Sequence, residues 1–168
     1  MRSLRRAGVK VPSISVTAPS AAPAHLSVSS SPQTPGANTL DVTVVLPCYN
    51  EQDHVMQEID RITEAMDASG YSYELLVIDD KSTDNTLEVL EKALPTHPHM
   101  RLMPFRTNGG SGTARRIGTR EAYGKIVVWT DADMTYPNER IPEFVRYLGD
   151  NPGVDQVVGA RTSEEGTH

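Results

Sequence analysis

The sequence predicts an α/β fold in which a mainly parallel sheet carries helices on both faces. Three observations lead there. From Leu40 onward short apolar runs alternate with amphipathic stretches, the β-α-β-α-β-α-β-α-β order that parallel strands need for their crossovers. The apolar runs have the character of strands buried in such a sheet. Polar, acidic clusters stand directly after three of these runs, at residues 47–51, 79–80 and 131–133.

The first strand is read over residues 42–46 and stops at Pro47. Asn50 then caps a helix, with Glu51 and Asp53 near its positive end. Along it Val55, Ile59, Ile62 and Met66 recur at spacings of four, three and four, which makes one apolar face, and Gly70 ends it. Residues 74–78 form the second strand, followed by a polar turn at 79–84 and a helix from about 84 to 93, with Leu87, Leu90 and Leu94 on one side. Residues 100–104 read as a short third strand. The loop Asn108-Gly109-Gly110-Ser111-Gly112 leads into a helix that runs through Tyr123 and is ended by Gly124. The fourth strand is 126–129, Pro137 suits the first turn of a helix reaching Leu148, and 154–158 is the fifth strand. No internal repeat is visible.

The first forty residues differ from the rest. Arg2, Arg5, Arg6 and Lys10 carry all their charge, and no acid precedes Asp41. The stretch rich in Ser, Pro and Ala that follows buries too little apolar area to offset its ordering entropy. Residues 1–40 are therefore read as a flexible, disordered tail and 41–168 as one folded domain. A secretory signal is not expected here, because Pro12, Ser13 and Ser15 interrupt the apolar stretch it would need after the basic start. The tail is either a dispensable extension or a basic arm for anionic lipid.

The net charge of −6 argues against nucleic acid as a partner, since that needs a basic face. The single Cys48 excludes an internal disulfide framework and fits a reducing, cytoplasmic compartment. No apolar run approaches the roughly 18 to 20 residues that span a bilayer, so membrane contact would be peripheral.

The chemistry follows from where the clusters fall. In a parallel sheet ligands sit beyond the carboxyl ends of the strands, so all three clusters are expected at one edge. Four carboxylates there, Asp79, Asp80, Asp131 and Asp133, would repel one another without a cation or hydrogen-bonding ligand. Asp131 and Asp133 flank one residue past a strand end and suit a hard divalent cation that keeps water and ligand phosphates in its other positions. Taken alone the D-x-D pattern is also what an exposed acidic turn looks like. Asp79 and Asp80 are either solvated turn acids or a cap for the next helix, or else Asp80 is an acceptor for a nucleobase or ribose. Tyr49 and Glu51 are either a wall residue and a first-turn acid or flanks for a base.

The loop at 109–112 lacks the Gly-Lys-Ser/Thr of a P-loop and the dinucleotide G-x-G-x-x-G pattern. It is either a tight structural turn or a backbone contact for an anion. His25, His54, His97, His99 and His168 show no ligand spacing and are read as surface residues. Cys48 is read as a small buried filler.

Residues 44–51, 76–84, 131–133 and 157–161, in this order and at these spacings, resemble the opening strand, nucleotide-binding turn, metal motif and following strand of family-2 glycosyltransferases. The nearest subgroup is the dolichyl- or undecaprenyl-phosphate sugar transferases. The resemblance implies the GT-A fold, a Rossmann-like sheet, of which this chain is expected to lack the C-terminal part. It implies that Pro47, Tyr49, Glu51, Ile78 and Asp80 line the nucleoside, and that Asp131 and Asp133 hold Mg²⁺ or Mn²⁺ with Ala132 contributing backbone. Arg161 would neutralise a phosphate of the sugar donor or of the acceptor. Members similar to dolichyl-phosphate mannose synthase place Gln two residues after the second metal Asp, where this chain has Thr135. The implied reaction is inverting transfer of a hexose from GDP- or UDP-hexose to a polyprenyl phosphate, at the inner face of the membrane.

Three other readings compete. Asp131-x-Asp133-x-Thr135 also matches the first motif of haloacid-dehalogenase-like phosphatases, but those place it on the opening strand. A receiver domain has its acid pair after the first strand, not the second. A chain that binds nucleotide sugar without transferring it is the remaining alternative.

Overall fold

The computed structural model describes residues 15–17 and 38–159. Strands β2 (Leu40–Cys48), β3 (Tyr73–Asp79), β4 (Met100–Pro104) and β5 (Gly124–Trp129) form a parallel sheet in the order β4-β3-β2-β5. Register pairs Cys48 with Asp79 and Val45 with Trp129, so the strands end at one edge. The α/β reading therefore holds. Among the described residues no helix is long and apolar enough to cross a membrane.

Helices cover both faces. Val55, Ile59, Ile62 and Met66 of α1 (Val55–Asp67) are fully buried. They join Leu90 of α2 (Thr86–Ala93), Ile141 and Phe144 of α4 (Ile141–Asp150), and Val42, Val44 and Leu46 in one core. On the opposite face α3 (Gly110–Glu121) lies over Val45, Leu76, Ile78 and Val127 through Ala114. Alternate residues of β2 and β3 thus serve two cores, as the period of two in a strand requires.

Several local expectations change. Strand β1 (Ser15–Thr17) lies inside the stretch read as a tail. It pairs antiparallel with β5 and with β6 (Gln156–Val158) and so separates them in the sheet. Its Ser-Val-Thr sequence is short but suited to a strand, and the other residues before 38 lie outside the described residues.

The N-cap of α1 is His54, not Asn50. Asn50 instead has φ 57°, and its side chain is used across the fold as described below. Gly124 does not end α3. It opens β5, where a Cβ would stand 2.2 Å from the Thr43 nitrogen. Pro137 precedes a short 3-10 turn (Asn138–Arg140), and Pro142 occupies the first turn of α4. His97 is partly covered rather than freely exposed: its side chain is 14% exposed and its Nε2 meets Asp60 at 3.1 Å.

Candidate functional site

Two loops leave the parallel strands β2 and β3 side by side and are laced together by hydrogen bonds. Asn50 Oδ1 accepts from the Thr83 N–H at 2.8 Å and the Asp84 N–H at 3.4 Å. In return the Asn50 N–H donates to Ser82 Oγ at 3.0 Å and the Glu51 N–H to Thr86 Oγ1 at 2.8 Å. A left-handed residue is costly for most side chains and tolerable for Asn. Asn50 uses that conformation to aim its amide at the neighbouring loop, which fixes Tyr49 and Glu51 beside the end of β3.

Asp80 is buried, and both of its oxygens are engaged. The Gly109 and Gly110 N–H groups donate to Oδ1 and Oδ2, each at 2.7 Å, and Asn108 Nδ2 donates to the Asp80 carbonyl at 2.9 Å. Gly110 has φ 77°, a conformation that glycine adopts without strain. The glycine loop is therefore first a structural turn gripped by Asp80, and these two N–H groups are not turned toward an outside anion.

The third loop follows β5. Thr130 is buried, and Asp131 is met through Oδ1 by Arg115 of α3. Asp133 Oδ1 accepts from the N–H of Thr135 at 3.1 Å and from its hydroxyl at 2.6 Å. Met134, between them, has φ 62°.

The three loops enclose a cleft of about 180 Å³ lined by Pro47, Tyr49, Glu51, Asp80, Asp131 and Asp133, together with Cys48, Ser111 and Ala132. The structure thus brings together every expected site residue except two. Ile78 does not reach the cleft: it is fully buried against α3, where a Cβ on Gly118 would stand 3.0 Å from its Cδ1. It lies inside β3, packed with Val45, Leu76 and Ala114, while Asp80 lies just past the strand end. Arg161 lies outside the described residues. Arg115 is a flank residue that sequence reasoning missed, and Ser111, read only as part of the glycine loop, lines the cleft. An Arg in the first half of a helix carries no pattern of its own, and only the crossing of α3 over the sheet brings Arg115 here.

The cleft is electrostatically crowded. Burial first, and then Asp133, push the Glu51 carboxyl above its ordinary value, with Asp84 and Asp131 adding to the effect and His54 opposing it. Burial chiefly, with Asp79 and Glu51, pushes the Cys48 thiol well up, so it stays a neutral filler.

Among the described residues no three His, Cys, Asp or Glu side chains form a cage for a metal ion. The residues nonetheless fit a hard divalent cation of the kind that takes ligand phosphates and waters as well. Asp131 and Asp133 offer carboxylate oxygens, each carboxylate has about four lone-pair directions, and a cation would relieve the crowding felt at Glu51.

Residues 43–167 match the family model for glycosyl transferase family 2. Among solved structures, the chain is similar to the mannosyltransferase PcManGT from Pyrobaculum calidifontis, solved in complex with GDP-Man and Mn2+. The match has 31% identity and a TM-score of 0.57, and covers 71% of this chain and 36% of that one. It is also similar in fold to S. aureus TarS 1-349, with 24% identity and a TM-score of 0.55 over 67% of this chain and 33% of that one. A complex of the same TarS 1-349 with UDP matches equally. The chain spans about a third of the length of these structures.

Proposed function

The chain belongs to glycosyl transferase family 2, and from that premise we propose that it moves a hexose, with inversion, from a nucleoside-diphosphate sugar to a polyprenyl phosphate. The observation that carries this reading is the convergence of Tyr49, Glu51, Asp80, Asp131 and Asp133 on one cleft at the carboxyl ends of β2, β3 and β5. That edge is where open parallel sheets bind nucleotides. The similar PcManGT carries GDP-Man and Mn2+, which favours a GDP-hexose and Mn²⁺, with UDP-hexose and Mg²⁺ as the alternatives.

In this reading Tyr49, half-exposed at the rim, offers a flat face to the base. Pro47 forms a wall, and Glu51 accepts hydrogen bonds from ribose hydroxyls. Asp80 keeps the glycine loop closed beneath the nucleoside. Asp131 and Asp133 would hold the divalent cation, with Ala132 at the backbone between them. When bound, the cation supplies a Lewis acid for the charge that gathers on the diphosphate. The acceptor phosphate oxygen bonds to the anomeric carbon from the opposite face, and the bond to the diphosphate breaks with its electron pair. Because that phosphate is already an anion near neutral pH, the cleft needs no strong general base. Arg161 is proposed to pair with a phosphate of donor or acceptor, and the reaction is placed at the inner, cytoplasmic face of a membrane.

Calorimetric titration with GDP- and UDP-hexoses, with and without Mn²⁺, tests the sugar-nucleotide site. Binding is expected to require the metal and to weaken at least tenfold in Asp133→Ala. Binding that is equal without metal, or equal in the variant, would overturn the assignment. Labelled-hexose transfer to a polyprenyl phosphate, with the unphosphorylated polyprenol as control, tests the acceptor. Binding without transfer to either would leave a nucleotide-sugar-binding chain.

A further inference from the structure

Behind the acidic turn runs a second set of polar groups that touch no part of the cleft. Glu58 and Asn138 are fully inaccessible and Thr130 is 1% exposed. They form one chain of hydrogen bonds. The Thr130 hydroxyl donates to Asn138 Oδ1 at 2.5 Å, and Asn138 Nδ2 donates to Glu58 Oε1 at 3.1 Å. Arg61, one turn further along α1, donates through Nη1 to Glu58 Oε1 at 3.0 Å and to Met134 Sδ at 3.8 Å. Its Nη2 donates to the Tyr136 carbonyl at 3.3 Å and to the Glu139 carboxylate.

Each contact falls at a telling place in the chain. Thr130 is the residue before Asp131, and Met134, the residue after Asp133, has a left-handed conformation that the Asp133–Thr135 bonds bracket and that Arg61 contacts from α1. The Thr130–Asn138 bond closes the base of the loop, and Arg61 grips it at residues 134, 136 and 139. Burying a carboxylate in α1 is costly, and that helix already has an apolar face of Val55, Ile59, Ile62 and Met66 with which to pack. Apolar packing would hold the helix against the loop equally well. What directional bonds add is a fixed backbone at the two aspartates.

We infer that Glu58, Arg61 and Asn138 are positioning residues for Asp131 and Asp133, acting through Thr130 and the Tyr136 carbonyl; this deepens, and rests on, the metal-assisted sugar-nucleotide site proposed above. They touch neither the cation nor the sugar nucleotide. They set the separation of the two carboxylates, as outer partners of metal ligands do elsewhere.

The test is Mn²⁺ binding to the full 168-residue chain, alone and with GDP or UDP, read from the resonance of free Mn²⁺. In Arg61→Met the dissociation constant is expected to rise about 10-fold, the low end of what losing a direct partner of a metal ligand costs, because Arg61 acts through the loop backbone. Glu58→Gln keeps an acceptor for Asn138 and is expected to show a smaller rise, and Arg61→Lys a partial recovery. The control is Glu74→Gln, at the opposite end of β3, which lowers the melting temperature and leaves Mn²⁺ affinity unchanged. If the wild type binds Mn²⁺ and Arg61→Met binds it equally, or weakens no more than the control, the positioning role is overturned and the site stands. If the wild type binds no Mn²⁺ even with nucleotide, the site itself falls and the positioning role falls with it.

Discussion

Glu74 shows how much one side chain can organise at the end of the sheet away from the cleft. Its Oε1 accepts the Thr43 hydroxyl at 2.7 Å and the Tyr123 N–H at 2.7 Å, and its Oε2 accepts Arg101 Nε at 2.9 Å. The Arg101 guanidinium lies 4.1 Å from the Tyr123 ring centroid and also donates to the Glu121 carbonyl. One carboxylate thus satisfies the turn between α3 and β5 and neutralises the cation that covers it. Glu74→Ala strands the buried Thr43 hydroxyl, leaves the Tyr123 N–H only Thr43 Oγ1 at 3.1 Å and leaves Arg101 without its carboxylate. The expected loss is about 3 kcal/mol, at the lower end for one removed partner of a buried pair because Arg101 is 28% exposed. Urea unfolding measures it, and a loss below about 1 kcal/mol would show the network to be incidental. None of this was legible in advance. Glu74 read only as the first residue of a strand, and its partners lie 27, 31 and 49 residues away in sequence.

Among the elements, the strands were the most legible because an uninterrupted apolar run has few other uses in a covered sheet. Residues 100–104 were bounded correctly, and the other central strands only extend further than read. Helix ends were less so. Gly124 read as a stop because glycine often ends helices, yet it is required by the backbone of β2 lying against it. The same physics makes α3 sensitive at Gly118, where a Cβ would meet Val45 Cγ1 at 2.5 Å. Alanine would gain about 1 kcal/mol of helix propensity, but a branched valine in a strand yields little, and overpacking costs about 1 to 3 kcal/mol. Gly118→Ala is therefore expected to destabilise by about 1 kcal/mol net, within the range overpacking sets. Gly112→Ala, which meets nothing within 4 Å, is expected to stabilise by roughly 0.5 kcal/mol. Chemical denaturation of the pair decides it: equal effects of one sign would mean that propensity alone governs α3.

At the scale of the molecule, the site was legible because topology does the gathering. Three polar clusters at the ends of parallel strands must meet at one edge, whatever the loops between them do. The supports were not legible, because Arg115 reaches Asp131 from another element and Asn138 reaches Glu58 across 80 residues. Gathering acids also shapes stability against pH. The Asp41, Asp84 and Glu143 carboxyls are held below their ordinary values. Ser72 and Lys125 act on the first, Thr86 and Gln52 overcome burial on the second, and Arg140 acts on the third. Each contributes stability above its unfolded value, lost as pH falls through the folded one. His97 runs the opposite way: burial alone would lower it, but the Ala93 carbonyl and Asp60 outweigh burial and raise it above 6.5. Its contribution is whole below 6.5 and is lost as pH rises through the higher folded value. Glu51 and Glu58, both raised chiefly by burial, likewise take stability away as they ionise above 4.5. Melting temperature is therefore expected to peak on the mildly acidic side of 6.5 and to decline toward pH 8. The His97 share is at most about 1 kcal/mol, because Asp60 is 67% exposed and screened by solvent. Thermal melts from pH 5 to 8 on wild type and His97→Gln check the sign. The variant should melt lower at pH 6 and lose less between 6 and 8, whereas parallel curves would mean that the Asp60 contact contributes nothing.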